Sequence, residues 1–230
     1  TFVSLDCGRD IEYKKKSSFL MTQPFVMKST NGQLENPDNV IFLGDQKGRK
    51  SFLGNFASST QGIKTGEDDR YKRTFWELSS KTAEWVWYQS TTSSVSEFGG
   101  LEHFLYWGEN GNHLARKQGM SAWVKKGIAV SQMSSLPCCA YIGGAFDSNM
   151  TAITVKQDAD LSALHGFALS GALSKAVREF DQSLKPTNSS FEKVLFEKEE
   201  WKSYYTENYP KGLPEPFSDI PTQWIFHGHP

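Results

Sequence analysis

A run of apolar residues at helical spacing, over residues 161–184, constrains the fold of this chain more than any other feature. Leucine, phenylalanine, alanine and valine recur there three or four positions apart, an aspartate just before the run can cap its first turn, and Pro186 ends it. The pattern predicts one long helix with a wide apolar face. Gly166 and Gly171 soften this helix and allow a break near Ser170.

The segments around this helix favour β structure. Residues 126–133 and 151–156 are rich in β-branched side chains that roughly alternate with small or polar ones, which predicts two sheet strands. Residues 197–208 have the pattern of a second, short helix, whereas residues 209–230 contain five prolines and should be irregular. We therefore predict an α+β fold, in which a twisted, largely antiparallel sheet packs against one long helix, with a Pro-rich irregular C-terminal tail.

The length of 230 residues allows one main domain with extensions. We expect an extended N-terminal segment over residues 1–38, a domain over residues 39–208 and the tail over residues 209–230. The chain starts at threonine and ends Phe-His-Gly-His-Pro, which suggests a fragment of a longer chain. The sequence has no membrane-length apolar run and no signal-peptide layout, and its three cysteines form no disulfide framework. These features predict a cytoplasmic protein that does not contact a membrane.

Residues 61–77 combine turn-forming glycines, cations and aromatic side chains in one short segment. Lysine and arginine donors suit phosphate oxygens or the acceptor edge of guanine, and a hydroxyl can add a further contact. No nucleophile stands beside a base here, so the segment indicates recognition of a ligand. The candidate DNA contacts in it are Lys64, Thr65, Arg70, Lys72 and Arg73. The alternative is a solvated charged loop, because three acidic residues at positions 67–69 offset most of the positive charge.

A second basic and aromatic cluster surrounds Trp123, where cations near an exposed ring could hold bases or backbone of a nucleic acid. Its candidate contacts are Arg116, Lys117, Lys125 and Lys126. The alternative is a core tryptophan between two solvated turns. Gln132 and Asn188 are candidate adenine readers, since a carboxamide offers a donor and an acceptor together, although buried or capping roles fit them equally well. The net charge of −1 argues neither for nor against nucleic acid.

Several short segments occur in a particular order over residues 40–230. They are Gln-Gly-Ile-Lys-Thr-Gly at residues 61–66, Arg-Tyr-Lys-Arg at 70–73, Phe-Trp-Glu at 75–77, Lys-Gly-Ile-Ala-Val-Ser-Gln-Met at 126–133 with Leu-Pro-Cys at 136–138, the helical run, Leu-Lys-Pro-Thr-Asn at 184–188, Lys-Val at 193–194, Tyr-Pro-Lys-Gly-Leu-Pro-Glu-Pro at 209–216 and Pro-Thr-Gln-Trp-Ile-Phe-His-Gly-His-Pro at 221–230. Together these landmarks resemble the target-recognition region of restriction-modification type DNA adenine methyltransferases, a group that includes the BREX methyltransferases of phage resistance.

The resemblance implies that a parent enzyme transfers a methyl group from S-adenosylmethionine to the exocyclic amino group of adenine. The family's catalytic tetrapeptide is Asn or Asp followed by Pro-Pro and an aromatic residue, and this chain has no Pro-Pro pair. It also has no G-x-G turn followed by an acidic residue for the cofactor. The resemblance therefore implies a fragment without catalytic or cofactor-binding residues, whose partners are double-stranded DNA and an upstream methyltransferase domain of the same chain.

Two other functions fit parts of the sequence. Asp38, Asp45 and Lys47 spell the acidic pattern of a magnesium-dependent restriction-type nuclease, although the gap between the aspartates is short and a third acidic ligand is not evident. A non-catalytic protein-interaction module, with its aromatic residues facing a partner, is the third interpretation. The five histidines form no ligand cluster with the cysteines, and His165, on the apolar side of the predicted helix, is expected to be a satisfied core residue.

Overall fold

The structure, a computed structural model, describes residues 2–4, 12–22, 26–33, 51–80 and 82–214. The chain divides into two compact units, Thr1–Arg49 and Lys50–Pro230. In the first unit, two short strands pair antiparallel and two helices accompany them: β1 (Phe2–Ser4), α1 (Tyr13–Thr22), β2 (Val26–Lys28) and α2 (Thr30–Gln33). The candidate site described below lies in the second unit.

A four-stranded antiparallel sheet forms the centre of the second unit. Its strands are β3 (Ala57–Gln61), β7 (Gly127–Ser131), β8 (Cys138–Tyr141) and β10 (Met150–Val155), in the order β3-β10-β7-β8. The two strands predicted over residues 126–133 and 151–156 are therefore adjacent, and Ile128 lies opposite Ile153. All of β7 is buried, because apolar groups cover both faces of this inner strand.

A second, smaller sheet holds the segments that follow the glycine- and cation-rich loop. It contains β4 (Lys72–Thr74), β5 (Trp85–Gln89), β6 (His103–Tyr106) and β9 (Ala145–Phe146), in the order β4-β6-β5-β9. Only the β5–β9 pair is parallel among these neighbours. The prediction of an α+β fold with largely antiparallel pairing is confirmed, with the difference that the strands form two sheets.

Two shorter helices stand where the sequence predicted one long helix. They are α4 (Leu161–Leu169) and α5 (Ala172–Phe180). Gly171 lies between them with a φ of +81°, a left-handed conformation that a helix cannot continue through, and the Ser170 hydroxyl accepts a hydrogen bond from the Ala172 amide. The prediction of a single helix was therefore wrong at the position where the sequence allowed a break.

The remaining α-helices described in the second unit are α3 (Asp68–Tyr71), α6 (Asn188–Glu192) and α7 (Lys198–Asn208), of which α7 is the longest at 11 residues. The main core lies between the central sheet and α4, where Ile128, Val130 and Ile153 meet Phe167. Helix α7 packs on α4, with the rings of Phe167 and Trp201 5.0 Å apart. The predicted Pro-rich tail is described only as far as residue 214, and its later residues lie outside the described part of the chain.

Candidate nucleic-acid interface

Two of the predicted cations, Lys64 and Arg116, lie opposite each other on neighbouring extended segments. The Lys64 amide donates to the Arg116 carbonyl at 3.1 Å, and the Arg116 amide donates to the Lys64 carbonyl at 2.9 Å. Residues that exchange both backbone hydrogen bonds in this way project their side chains on the same face, with Cβ atoms about 5.5 Å apart. We call residues 63–65 together with residues 115–117 the cationic ribbon.

None of the described residues neutralises the charged groups of Lys64 and Arg116 on this ribbon. Both are exposed, and within the described residues no hydrogen bond or ion pair engages either charged group. Like charges directly opposite each other on paired strands destabilise the pairing. The ribbon therefore holds two cations together at a small cost in folding free energy, which binding of an anion would remove.

Two glycines fix the position of the ribbon on the fold. A Cβ atom on Gly62 would lie 2.2 Å from the Asp147 carbonyl oxygen, so only glycine allows this close approach. The neighbouring Ile63 amide donates to the Phe146 carbonyl at 2.7 Å, which attaches the ribbon to β9. Gly66 has a φ of +87°, so it turns the chain away immediately after the ribbon. Gly62 is thus required by a close backbone approach before the ribbon, and Gly66 by the left-handed turn after it.

Lys117 also belongs to the ribbon, but its ammonium group is held by the protein. Nζ donates to the Asn110 carbonyl and to Oδ1 of Asn112, both at 3.0 Å. Asn110 adopts a left-handed conformation with a φ of 55°, and this contact occupies its carbonyl oxygen. Lys117 therefore adds positive charge beside Arg116 while its geometry is set by the loop.

Two of the other cations of the glycine-rich loop are paired with acidic residues next to them, and the third binds backbone carbonyls. Arg70 lies 3.7 Å from a carboxylate oxygen of Glu67, and Nζ of Lys72 lies 3.2 Å from Oδ2 of Asp68. Nη1 of Arg73 donates to the Lys72 carbonyl at 2.7 Å and to the Asp69 carbonyl, so it closes the end of α3. The charges of Arg70 and Lys72 are thus offset locally, whereas the Arg73 guanidinium is engaged by backbone oxygens.

Thr65 has an internal role in this structure. Its side chain is buried, and its hydroxyl donates to Oδ1 of Asp68 at the start of α3. Burial raises the pKa of Asp68, but the hydrogen bond from Thr65 and the positive charge of Lys72 outweigh it, so the pKa lies below its ordinary value. The Thr65 hydroxyl is thus committed to shaping the loop.

Replacing Thr65 with valine is expected to raise the pKa of Asp68, because valine keeps the buried volume and removes the hydrogen bond to the charged carboxylate. A lowered carboxyl pKa stabilises the fold above the unfolded value of about 3.9 and stops doing so as the pH falls through the folded value. The variant should therefore lose stability at neutral pH and approach the native chain at strongly acidic pH. Carboxyl ¹³C NMR titration measures the pKa directly.

Thr74→Val is the matched control for this titration. The Thr74 hydroxyl donates to Glu77 in a separate capping box. The control should leave the pKa of Asp68 unchanged and raise that of Glu77, which the Thr74 amide and hydroxyl now hold below its ordinary value. An unchanged Asp68 pKa in Thr65→Val would contradict the role given to this hydroxyl.

Lys125 and Lys126 lie on a different turn, between the 3₁₀ turn Met120–Ala122 and β7. Both are exposed. Trp123, which precedes them, is partly buried and packs against Trp107 with ring centroids 4.8 Å apart, in agreement with its interpretation as a packed residue.

Gln132 and Asn188 are brought together by the fold, 56 positions apart in sequence, and contact each other. Nε2 of the buried Gln132 donates to Oδ1 of Asn188 at 3.0 Å and to the Pro186 carbonyl at 3.1 Å. Both amide hydrogens of Gln132 can be used in this way, so the pair connects the end of β7 to α6. In this conformation Gln132 does not present its amide to a ligand.

The two cysteines among the described residues are buried. Burial raises the pKa of the Cys138 and Cys139 thiols to about 12, so both remain protonated near neutral pH. Among the residues that the structure describes, no group of three or more histidine, cysteine or acidic side chains could hold a metal ion. The nuclease-like Asp38, Asp45 and Lys47 lie outside the described residues.

A comparison with protein-family models finds no match, and a comparison with curated protein sequences also finds none. In the described ranges, no helix has both the length and the apolar character that a membrane crossing requires. The resemblance to a target-recognition region thus depends on the order of the sequence landmarks.

Proposed function

We propose that this chain binds double-stranded DNA as the target-recognition domain of an S-adenosylmethionine-dependent, adenine-specific DNA methyltransferase. The observation that carries the proposal is the exposed, un-neutralised pair Lys64 and Arg116, held side by side on the cationic ribbon. Two adjacent cations with free donors fit phosphate oxygens, and a guanidinium can also bind O6 and N7 of guanine together.

The shape of the ribbon supports duplex DNA as the ligand. The major groove is about 12 Å wide and admits a two-stranded β ribbon. The ribbon bears Lys64 and Arg116 on one face, so one can contact the backbone while the other reads a base edge. Lys125 and Lys126 would extend the contact only if the DNA also reached their separate turn.

In this proposal, two of the candidate DNA contacts identified in the sequence do not touch DNA. Thr65 and Gln132 are buried and hydrogen-bonded within the protein, and they support the fold behind the contact surface. Methyl transfer and the S-adenosylmethionine site belong to an upstream domain, as the resemblance implies, and phage defence or restriction-modification is the setting that the same resemblance suggests. The role of this chain is then to hold the catalytic domain over an extruded adenine.

Amide NMR spectra of the labelled 230-residue chain, recorded during titration with a short mixed-sequence DNA duplex at low salt, test this proposal. We expect the largest shifts at residues 64–66 and 115–117, because phosphate contacts form on any sequence at low salt. Shifts that cluster on α7 instead would contradict the ribbon as the contact surface. No shifts at any duplex concentration would contradict DNA binding and favour a protein-interaction module.

A further inference from the structure

A cleft of about 570 Å³ opens at one end of the central sheet, and Lys126 is the one candidate DNA contact that lines it. It lies where β7 begins and where β8 and β10 end, and it is closed by the start of α4 and by α7. Most of its lining is aliphatic or aromatic, and a few polar side chains reach it. This combination is typical of a small-molecule site.

His165 supplies a buried polar group in the wall of this cleft. The side chain is only 7% exposed, and its Nε2 lies 3.2 Å from the Gly127 carbonyl oxygen, which fixes the proton on Nε2 because a carbonyl can only accept. Burial lowers the pKa of His165, the hydrogen bond to Gly127 partly opposes this, and the charge of Lys126 lowers it further; the pKa lies below its ordinary value, so the ring is neutral near pH 7.

The second nitrogen of this ring, Nδ1, is then an acceptor. No hydrogen bond to Nδ1 occurs within the described residues. Nδ1 is not among the fully buried atoms without a partner, so it keeps some accessible surface, and a ligand in the cleft can donate an N–H or O–H to it.

Three aromatic side chains, Phe98, Tyr141 and Tyr205, line the cleft besides the His165 ring. The Tyr205 ring lies 6.0 Å from the His165 ring. Tyr209 supports the Tyr205 ring, because the two rings lie 5.2 Å apart. The Tyr209 hydroxyl donates to Glu97, which precedes Phe98 in the chain. Walls of this kind favour a planar aromatic ligand, which stacks on rings and fills a narrow space.

Charged groups border the cleft without neutralising each other. Lys126 is exposed and precedes β7, and Asp158 follows β10 at the same end of the sheet. The structure records no ion pair between them or from either to another described residue. Lys126 can therefore pair with an anionic substituent of a ligand, while Asp158 can accept from a hydroxyl or amine.

We propose that this cleft binds a small planar aromatic anion: its ring lies against Phe98 and Tyr205, a ring N–H or amino group donates to Nδ1 of His165, and its anionic group pairs with Lys126. Nucleoside monophosphates and aromatic carboxylates share this chemistry. The proposal is independent of DNA binding, because none of the ribbon residues lines the cleft.

Calorimetric titration of the full chain with two matched pairs of probes tests the proposal. The pairs are adenosine monophosphate with adenosine, and indole-3-carboxylate with indole, so each pair differs only in its anionic group. We expect at least one anion to bind, and to bind about tenfold or more tightly than its neutral partner, as a direct charge-assisted contact allows. The pair that binds identifies the nucleotide or the carboxylate as the ligand.

Variants then assign the contacts. Lys126→Met should reduce the affinity of the anion to that of its neutral partner, whereas Lys125→Met, which changes the adjacent cation outside the cleft, should leave it unchanged. His165→Gln can keep the donor to Gly127 and removes the Nδ1 acceptor, so it should weaken both members of a binding pair. Because Lys126 is exposed, its variant remains decisive even if the His165 variant unfolds. Failure of both anions to bind, or an affinity unaffected by Lys126→Met, would overturn the proposal.

Discussion

Replacing Gly166 with alanine is expected to destabilise the chain by roughly 2 kcal/mol, within the usual range for overpacking. In an exposed helix the same change would stabilise by up to about 1 kcal/mol, because alanine is the better helix former. Here helix α7 crosses α4 so closely that an added Cβ would lie 2.3 Å from the Trp201 carbonyl oxygen. That oxygen belongs to the helix backbone, so relief requires α7 to move as a body.

The position of Gly166 links this stability effect to the cleft. The added Cβ would also lie 3.2 Å from Cβ of Tyr205, so movement of α7 would displace an aromatic wall. The buried carboxylate of Asp160, which pairs with Lys198 at 2.5 Å, resists this movement at the start of both helices. We therefore expect Gly166→Ala to lower both the free energy of unfolding and the affinity of any ligand of the cleft.

Urea unfolding measures this prediction through the transition midpoint. Ser203→Ala, an alanine substitution at an exposed position of α7, is the matched control and should change stability by less than about 0.5 kcal/mol. A Gly166→Ala variant as stable as the native chain would mean that α4 and α7 do not approach as closely as the structure has them.

Reversing both charges of the ribbon, with Lys64→Glu and Arg116→Glu, is expected to weaken duplex binding at low salt by about a hundredfold. Each reversal replaces a phosphate attraction by a repulsion at the contact itself, and such contacts supply most of the non-specific affinity. The double variant keeps a like-charge pair on the ribbon, so the local electrostatic cost to folding should be similar. Fluorescence anisotropy of a labelled duplex measures the affinity.

A control with the same change in overall charge separates the ribbon from net charge. Lys175→Glu with Lys202→Glu alters two exposed helical cations, and in both double variants the net charge becomes more negative by four. The control should retain most of the affinity. Equal losses in the two variants would mean that overall charge, rather than the ribbon, determines binding.

The single variant Lys64→Glu separates function from stability. It creates an opposite-charge pair across the ribbon, which should stabilise folding slightly, by no more than about 1 kcal/mol. It should still weaken DNA binding, because one attractive contact becomes repulsive. If the variant is more stable than the native chain and binds DNA less tightly, the role of Lys64 is in DNA binding rather than in folding stability.

Much of the fold could be predicted from periodicity. The alternating segments that became β7 and β10, and the helical run that became α4 and α5, were recognised because local pattern decides those elements. The division of the helix depends on the left-handed conformation at Gly171, which the sequence allowed but did not require. The second sheet depends on pairings between distant segments, which no local pattern specifies.

The candidate site was only partly predictable for the same reason. Both ribbon cations were identified as candidates, but nothing in the sequence places Lys64 opposite Arg116, since antiparallel partners carry no spacing signal. The internal roles of Thr65 and Gln132 follow from their hydrogen-bond partners. Thr65 bonds Asp68, three residues away, whereas Gln132 bonds Asn188, 56 residues away. The cleft around His165 was missed because its lining comes from several elements.

The dependence of DNA affinity on salt tests the central claim most directly. The logarithm of the binding constant should fall linearly with the logarithm of the salt concentration, with a slope of about −0.9 for each phosphate contact on a duplex. Removing both ribbon charges, with Lys64→Ala and Arg116→Ala, should make that slope shallower by nearly two if both residues contact phosphates, or by about one if Arg116 reads a base. Identical slopes for the native chain and the variant would contradict the proposal that the cationic ribbon binds DNA.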